Sequence, residues 1–414
     1  MTNAGLADKR ARTYLLVSVW LVIAAIIHLF VVLVAYPSAI YWLSYYVPNY
    51  EFGFVRRGLG GEIIRMLPDG YYFTAAYTML GASVVVWLIA LGVLMWRILS
   101  GQPGRERRVM LALLVPVLPF SLTYALYSPH PELFGMAALV ALGLFLTNTR
   151  TARPRLIACA LYGSAIAALA FVHEAIPLQL ALGAVLAIVV LPKDMSPALQ
   201  RICLMSAVVP GIVAVLLAAG LGRKQVGSLL CEQIPHRMIE NPYAASTSVQ
   251  NTLDYMFGRV ESKSDYHDWM CRYATPILES NFSDGVQMVA QFGVLPLLAS
   301  FIVGLLYFVG TTWAIQFFSG VPVTTFLREL RGNYVLAVLA LALMVPVFMT
   351  AVDWTRWWIL ITFDVAVVYI MYAASRPEIA KPASRSEARI FVWVVALLVI
   401  VPTGAALHIG GSNF

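Results

Sequence analysis

The sequence predicts an all-α polytopic membrane protein with about eleven transmembrane helices, ten to twelve once broken runs are allowed for. Three observations carry that expectation. Hydrophobic residues make up 60% of the 414-residue chain and charged residues only 12%, with a mean hydropathy of +0.79, far from soluble-domain composition. Apolar runs able to cross ~30 Å of hydrocarbon, about 20 residues each, recur from end to end. None of the 28 lysines and arginines falls inside one of these runs.

The first run, 13–36, follows Lys9, Arg10 and Arg12. It lacks the small-residue cleavage pattern of a signal peptide, so it reads as a retained span with a cytoplasmic N-terminus. Further runs lie at 73–96, 109–126, 134–149, 156–172, 175–192, 202–221, 291–317, 332–350, 357–375 and 390–408. Pro116, Pro119, Pro210 and Pro346 interrupt several of them, because proline removes a helical hydrogen bond.

Alternate connectors carry the positive charge: Arg97, Arg105, Arg107 and Arg108; Arg150, Arg153 and Arg155; Lys193 and Arg201; Arg328 and Arg331; Arg376, Lys381, Arg385 and Arg389. By the positive-inside rule these connectors are cytoplasmic. Only Arg56, Arg57, Arg65 and Arg356 remain in short outer connectors. The expected location is a bacterial inner membrane, with the C-terminus periplasmic. The net charge of +7 is then a topological signal, and it implies no nucleic-acid partner.

Three regions follow. Residues 1–221 form an N-terminal bundle of about seven helices with a polar first outer loop, 37–72; residues 222–290 form a long periplasmic loop; residues 291–414 form a C-terminal bundle of about four helices. The long loop reads as a small helical cap, with helical patterns at Ser248–Arg259 and Tyr266–Ser280. Cys159 and Cys203 lie in apolar runs and read as packing residues. Cys231 and Cys271 both lie in the long loop, where an exported location permits a disulfide between them.

Four outer segments carry chemistry. In the first, Tyr41-Trp-Leu-Ser-Tyr-Tyr46 reads as an aromatic anchor in the membrane interface. It is followed by Arg56 and Arg57 among Gly53, Gly58, Gly60 and Gly61, a backbone able to bend sharply or approach a ligand. Arginine's planar fork suits phosphate oxygens; the competing reading is lipid-headgroup contact or pairing with Glu51 and Glu62. The second segment is Tyr127-Ser-Pro-His-Pro-Glu132, where prolines stiffen the turn around His130. The third is His173-Glu174, a titratable pair suited to acid-base work. The fourth is Asp353-Trp-Thr-Arg356, whose two charges can pair at a helix start. Deeper in that run lies Asp364, expected to line a polar pocket opening outward, with His28 of the first run as its partner.

No His-Glu-x-x-His or other ligand spacing occurs, and neither a phosphate loop nor a dinucleotide fingerprint is present, so no cofactor and no metal site are expected. Whether a divalent ion assists is left open by the residues.

The arrangement resembles the lipid-linked polysaccharide polymerases of the Wzy type and is similar to the wider GT-C class of membrane glycosyltransferases. The features in common are about eleven spans, a first outer loop rich in Arg and Glu, one long late outer loop and outer arginines. GT-C enzymes commonly hold a catalytic carboxylate in the first outer loop, which implies Glu51 or Glu62. Polymerases of the Wzy type bind a polyprenyl diphosphate through outer arginines, which implies Arg56, Arg57 and Arg356. No Asp-Asp or Asp-Glu pair of the usual GT-C kind stands in the first outer loop.

The expected function is therefore glycosyl transfer or polymerisation on the periplasmic face, from a polyprenyl-(di)phosphate-linked donor to a glycan acceptor. Catalytic candidates are Glu51, Glu62, Glu132, His173 and Glu174; phosphate-binding candidates are Arg56, Arg57, Arg356, His130 and Asp353. Membrane lipids are partners, and the resemblance adds a flippase or chain-length regulator. The alternative is a transporter or flippase of an anionic lipid-linked substrate, with His28 and Asp364 as a coupling relay.

Overall fold

A computed structural model describes residues 3–101, 105–223 and 226–403. Each predicted apolar run contains helix in its described part, and the full count of eleven spans is not confirmed. Among the described residues, six helices are long and apolar enough to cross a membrane, or seven if Val323–Glu329 and Tyr334–Thr350, bent by 99°, count as one broken span. The discrepancy has a physical origin. Glu132–Asn148 and Ile176–Val190 have only 17 and 15 residues, and at 1.5 Å per residue the shorter is about 22 Å long. The last run, 390–408, is helical as far as Leu398, and beyond 403 it lies outside the described residues, as does the expected periplasmic C-terminus.

Burial sorts the helices into a centre and a periphery. The most apolar windows of Arg10–Ala35, Tyr72–Leu99, Pro197–Leu221 and Val294–Ser319 are only 22–28% buried, whereas that of Trp354–Ala374 is 83% buried. Exposed leucines, valines and isoleucines on the former are the faces that lipid covers. The central Trp354–Ala374 helix packs against Val294–Ser319 on one side and Ile176–Val190 on another. Small residues permit the closest approaches: a Cβ on Gly163 would stand 2.0 Å from the Ser206 carbonyl oxygen, so Ala152–Ala170 and Pro197–Leu221 meet backbone to backbone.

The two ends of the bundle differ in their polar groups. At one end Arg10 donates to Glu106 at 2.8 Å and to the Ala383 carbonyl. There Arg107 donates to Glu387 and to the carbonyls of Phe317 and Lys381, and Arg155 to those of Thr149 and Lys193. These arginines join the ends of neighbouring helices by satisfying C-terminal carbonyls. The opposite end gathers the starts of Glu132–Asn148, Ile176–Val190 and Trp354–Ala374, together with the first loop and the cap. Glu132–Asn148 reaches both ends, with Glu132 on Arg356 and Asn148 on Arg97.

The cap is more varied than the helices expected of it. It contains short helices such as Gly227–Cys231, Val249–Met256 and Phe282–Phe292. It also holds an antiparallel pair of strands, Met238–Glu240 with Lys263–Asp265. Cys231 and Cys271 are joined, with Cα atoms 5.3 Å apart. Arg223 donates to the carbonyl of Phe52, its backbone N–H donates to that of Phe54, and Asn49 donates to Gln233, tying cap to first loop.

Candidate functional site

The segment expected to lie as an aromatic anchor in the interface is instead folded into the protein. Ile40, Trp42, Leu43 and Tyr46 are buried in the short helix Ala39–Leu43 and the turn after it. Their rings have protein partners: Trp42 meets the His130 ring at 4.3 Å, and Tyr45 lies 5.3 Å from His130 and 5.2 Å from His173. Tyr45 thus links the turn at His130 to the turn at His173.

The chain next forms Gly58–Arg65, a helix whose glycines serve packing rather than ligand approach. A Cβ on Gly58 would stand 2.2 Å from Tyr50, and one on Gly61 would stand 2.1 Å from the Pro48 carbonyl oxygen. At the head of this helix Arg57 adopts φ +62°, ψ +14°, a left-handed conformation that costs a side-chain-bearing residue roughly 1–2 kcal/mol. Glycine would stand there without that cost. The arginine stays because its fork is engaged: Nε and Nη2 donate to the two Glu174 oxygens at 2.6 and 2.8 Å. The helix start is pinned nearby by the Leu59 N–H on the Phe171 carbonyl at 3.1 Å.

Arg56 stands beside this pair, with Nη1 3.7 Å from Glu174. It also donates to the Ile277 carbonyl of the cap, and its buried Nε has no hydrogen-bond partner among the described residues. Burial and the adjacent Arg57 charge both lower its pKa. Burial alone would raise the Glu174 carboxyl, but the charge and hydrogen bonds of Arg57 outweigh it and hold Glu174 well below the carboxylate range. His173 is pushed down to about 3, by burial first and the Arg57 charge second, and its Nδ1 accepts from the Ala175 N–H at 3.3 Å. It is a neutral imidazole at pH 7.

A second ion pair lies alongside. Arg356 donates to Glu132 at 2.6 Å, with Asp353 at 3.4 Å, and its guanidinium lies over the Trp357 ring at 4.3 Å. Glu132 is fully buried and also receives Tyr124 Oη at 3.1 Å and Gln179 Nε2 at 3.3 Å. Such density of donors around a buried carboxylate meets its desolvation cost. Tyr124 and Gln179 are participants that sequence reasoning missed, while Tyr45 was read only as part of an aromatic anchor. Their only prior signal was a polar or aromatic residue at the start or end of an apolar run.

The four charged segments therefore converge. Arg56, Arg57, Arg356, Glu132, Glu174, Asp353, His130 and His173 belong to one polar end, with three guanidiniums facing three carboxylates. A cleft of about 40 Å³ reaches Arg57 between the first loop and the cap, lined by Ser44, Tyr45, Pro48, Ala274, Ile277 and Leu278.

The remaining candidates lie apart. Glu62 accepts from Arg65 Nε and Nη2 and from the Tyr50 N–H at 2.9 Å, so it holds the loop. Glu51 is exposed and 3.5 Å from Arg65. His28 does not meet Asp364: its ring nitrogens contact Tyr127 Oη at 3.0 Å and the Val399 carbonyl at 2.8 Å. Nor does Asp364 line a pocket opening outward. It is fully buried among packed helices, where a Cβ on Gly183 would be 2.5 Å from its Oδ1.

Fold and site define a multi-pass helical membrane protein with a buried charged cluster at one end, capped by a disulfide-linked loop. The chain belongs to the Rv1490 family of uncharacterised membrane proteins, which matches residues 14–399. It is 57% identical over 407 residues to the uncharacterized proteins Rv1490 of Mycobacterium tuberculosis and Mb1527 of Mycobacterium bovis, covering 98% of this chain and 94% of each relative. No solved structure matches it.

Proposed function

We propose that the arginine end is a periplasmic site for a phosphate-bearing lipid, and that the protein transfers a sugar from a polyprenyl-(di)phosphate donor to a glycan acceptor. The observation that carries this reading is the Arg57–Glu174 pair: an arginine held in a left-handed backbone, at the mouth of a cleft, beside a second arginine with an unpartnered nitrogen. A phosphate entering there offers the same bidentate geometry as the carboxylate it displaces.

The displacement has a chemical consequence. With Arg57 taken by the phosphate, Glu174 loses the charge that suppresses its proton affinity, while burial remains and favours the neutral form. The carboxylate becomes a stronger base only when donor is bound. The acceptor hydroxyl oxygen attacks the anomeric carbon, the carbon–oxygen bond to phosphate breaks, the hydroxyl proton passes to Glu174, and Arg56 and Arg57 stabilise the phosphate that departs on its lipid. Glu132 and Arg356 hold the neighbouring helix starts. His173, neutral and weakly basic, suits a hydrogen-bonding role better than that of base.

Arg56→Ala and Arg57→Ala should each abolish glycan extension in cells while the protein stays inserted and expressed. Normal glycan lengths in both mutants would remove the basis for the proposal. The flippase alternative lacks its proposed relay, since the ring nitrogens of His28 contact Tyr127 and Val399 rather than Asp364.

A further inference from the structure

The cap contains a cluster of histidines and aspartates that the arginine site does not use. The strand pair aligns Met238 with Asp265, and the Tyr266 N–H bonds to the Arg237 carbonyl at 2.8 Å. Continuing that register one step sets His236 opposite His267. Their rings stack with centroids 4.0 Å apart. Asp265 Oδ1 lies 3.2 Å from His236 Nδ1, and Asp268 Oδ1 lies 3.0 Å from His267 Nδ1. One donor atom from each of these four residues falls within 4.8 Å of the other three.

We propose that His236, Asp265, His267 and Asp268 bind a divalent transition-metal ion of the zinc class. Two imidazoles and two carboxylates are borderline ligands that suit zinc. Tetrahedral coordination with bonds of about 2.0–2.2 Å requires donors roughly 3.4 Å apart, close to the two His–Asp separations already present. The remaining closure falls to His236 and Asp268, whose side chains are 68% and 75% exposed and free to adjust. Four protein ligands leave no open position for substrate, so the ion is structural.

The fold gives the ion a role. It pins the base of the 241–262 excursion, while the Cys231–Cys271 disulfide brackets the same region from outside. The segment that follows, through Ala274, Ile277 and Leu278, lines the cleft at Arg57. The two cysteine sulfurs lie 3.8 and 3.7 Å from His267 Nε2, the ring nitrogen opposite the one facing Asp268. The disulfide and the proposed ion thus sit on different edges of one imidazole.

The test uses the full chain, purified in detergent without a histidine tag or reductant, stripped with a chelator and titrated with zinc chloride. Metal is counted by elemental mass spectrometry and the disulfide is verified by peptide mass. The expected result is about one zinc per chain with the disulfide intact. His236→Ala and Asp268→Asn, both at exposed positions, should each weaken binding by more than about tenfold, the scale at which even outer-shell partners act. Absence of stoichiometric zinc on the oxidised chain would overturn the proposal. So would zinc that binds only after reduction, which assigns it to the thiolates, or binding unchanged in both variants.

Discussion

The left-handed backbone at Arg57 makes a sharp prediction about stability and function. Arg57→Gly removes the fork from Glu174, and breaking a buried ion pair costs roughly 3–5 kcal/mol. Both side chains retain about a fifth of their exposure, and Arg56 at 3.7 Å takes over part of the attraction, which brings the loss to the low end, about 3 kcal/mol. Relief of the left-handed strain returns about 1 kcal/mol, so the net destabilisation is about 2 kcal/mol. Adding Glu174→Gln removes the stranded charge while strain relief remains. The double variant should match or exceed the parent in thermal unfolding midpoint, measured in one detergent, yet make no product. A double variant no more stable than Arg57→Gly, or one retaining activity, would refute the view that this arginine is held in place for function.

Gly61→Ala should abolish activity without touching a charge, because the Pro48 carbonyl oxygen, 2.1 Å from the added Cβ, is backbone and cannot rotate away; wild-type turnover would count against it. Between pH 7 and pH 4 the fold should lose stability as His173 protonates preferentially in the unfolded chain, by up to about 1.4 kcal/mol per pH unit below its ordinary pKa. The sign follows from a folded pKa pushed down to about 3, and His173→Asn should flatten the decline in unfolding midpoint. Cys231→Ser with Cys271→Ser opens a loop of 40-residue separation, worth about 4 kcal/mol in the chain-entropy model. Limited proteolysis should cut the variant's cap faster, and equal cutting rates would contradict this.

Much of the site was legible in the sequence because charge is scarce in this chain, so each polar residue outside the basic connectors stood out. Arg56, Arg57, Glu174, Glu132 and Arg356 were all visible as exceptions to hydropathy, although their pairing was not. Arg57 meets Glu174 and Arg356 meets Glu132 across more than a hundred residues of chain, and no local pattern encodes such contacts. Length alone does not fix the span count, since an apolar run of 15 residues fits a buried helix as well as a crossing one. His28 and Asp364 looked like partners only because both interrupt apolar runs; a tyrosine hydroxyl and a backbone carbonyl satisfy His28 instead. The grouping of His236, Asp265, His267 and Asp268 escaped because its register depends on strands of three residues, too short to show alternation.

In the proposed reaction a lipid phosphate takes the place of Glu174 on Arg57. Native mass spectrometry of the protein with polyprenyl phosphate and with the uncharged polyprenol tests it directly. The parent should retain the phosphate lipid, Arg57→Ala should lose it, and both should retain the alcohol only weakly. Equal retention of phosphate and alcohol by the parent, or phosphate binding unchanged in Arg57→Ala, would contradict it.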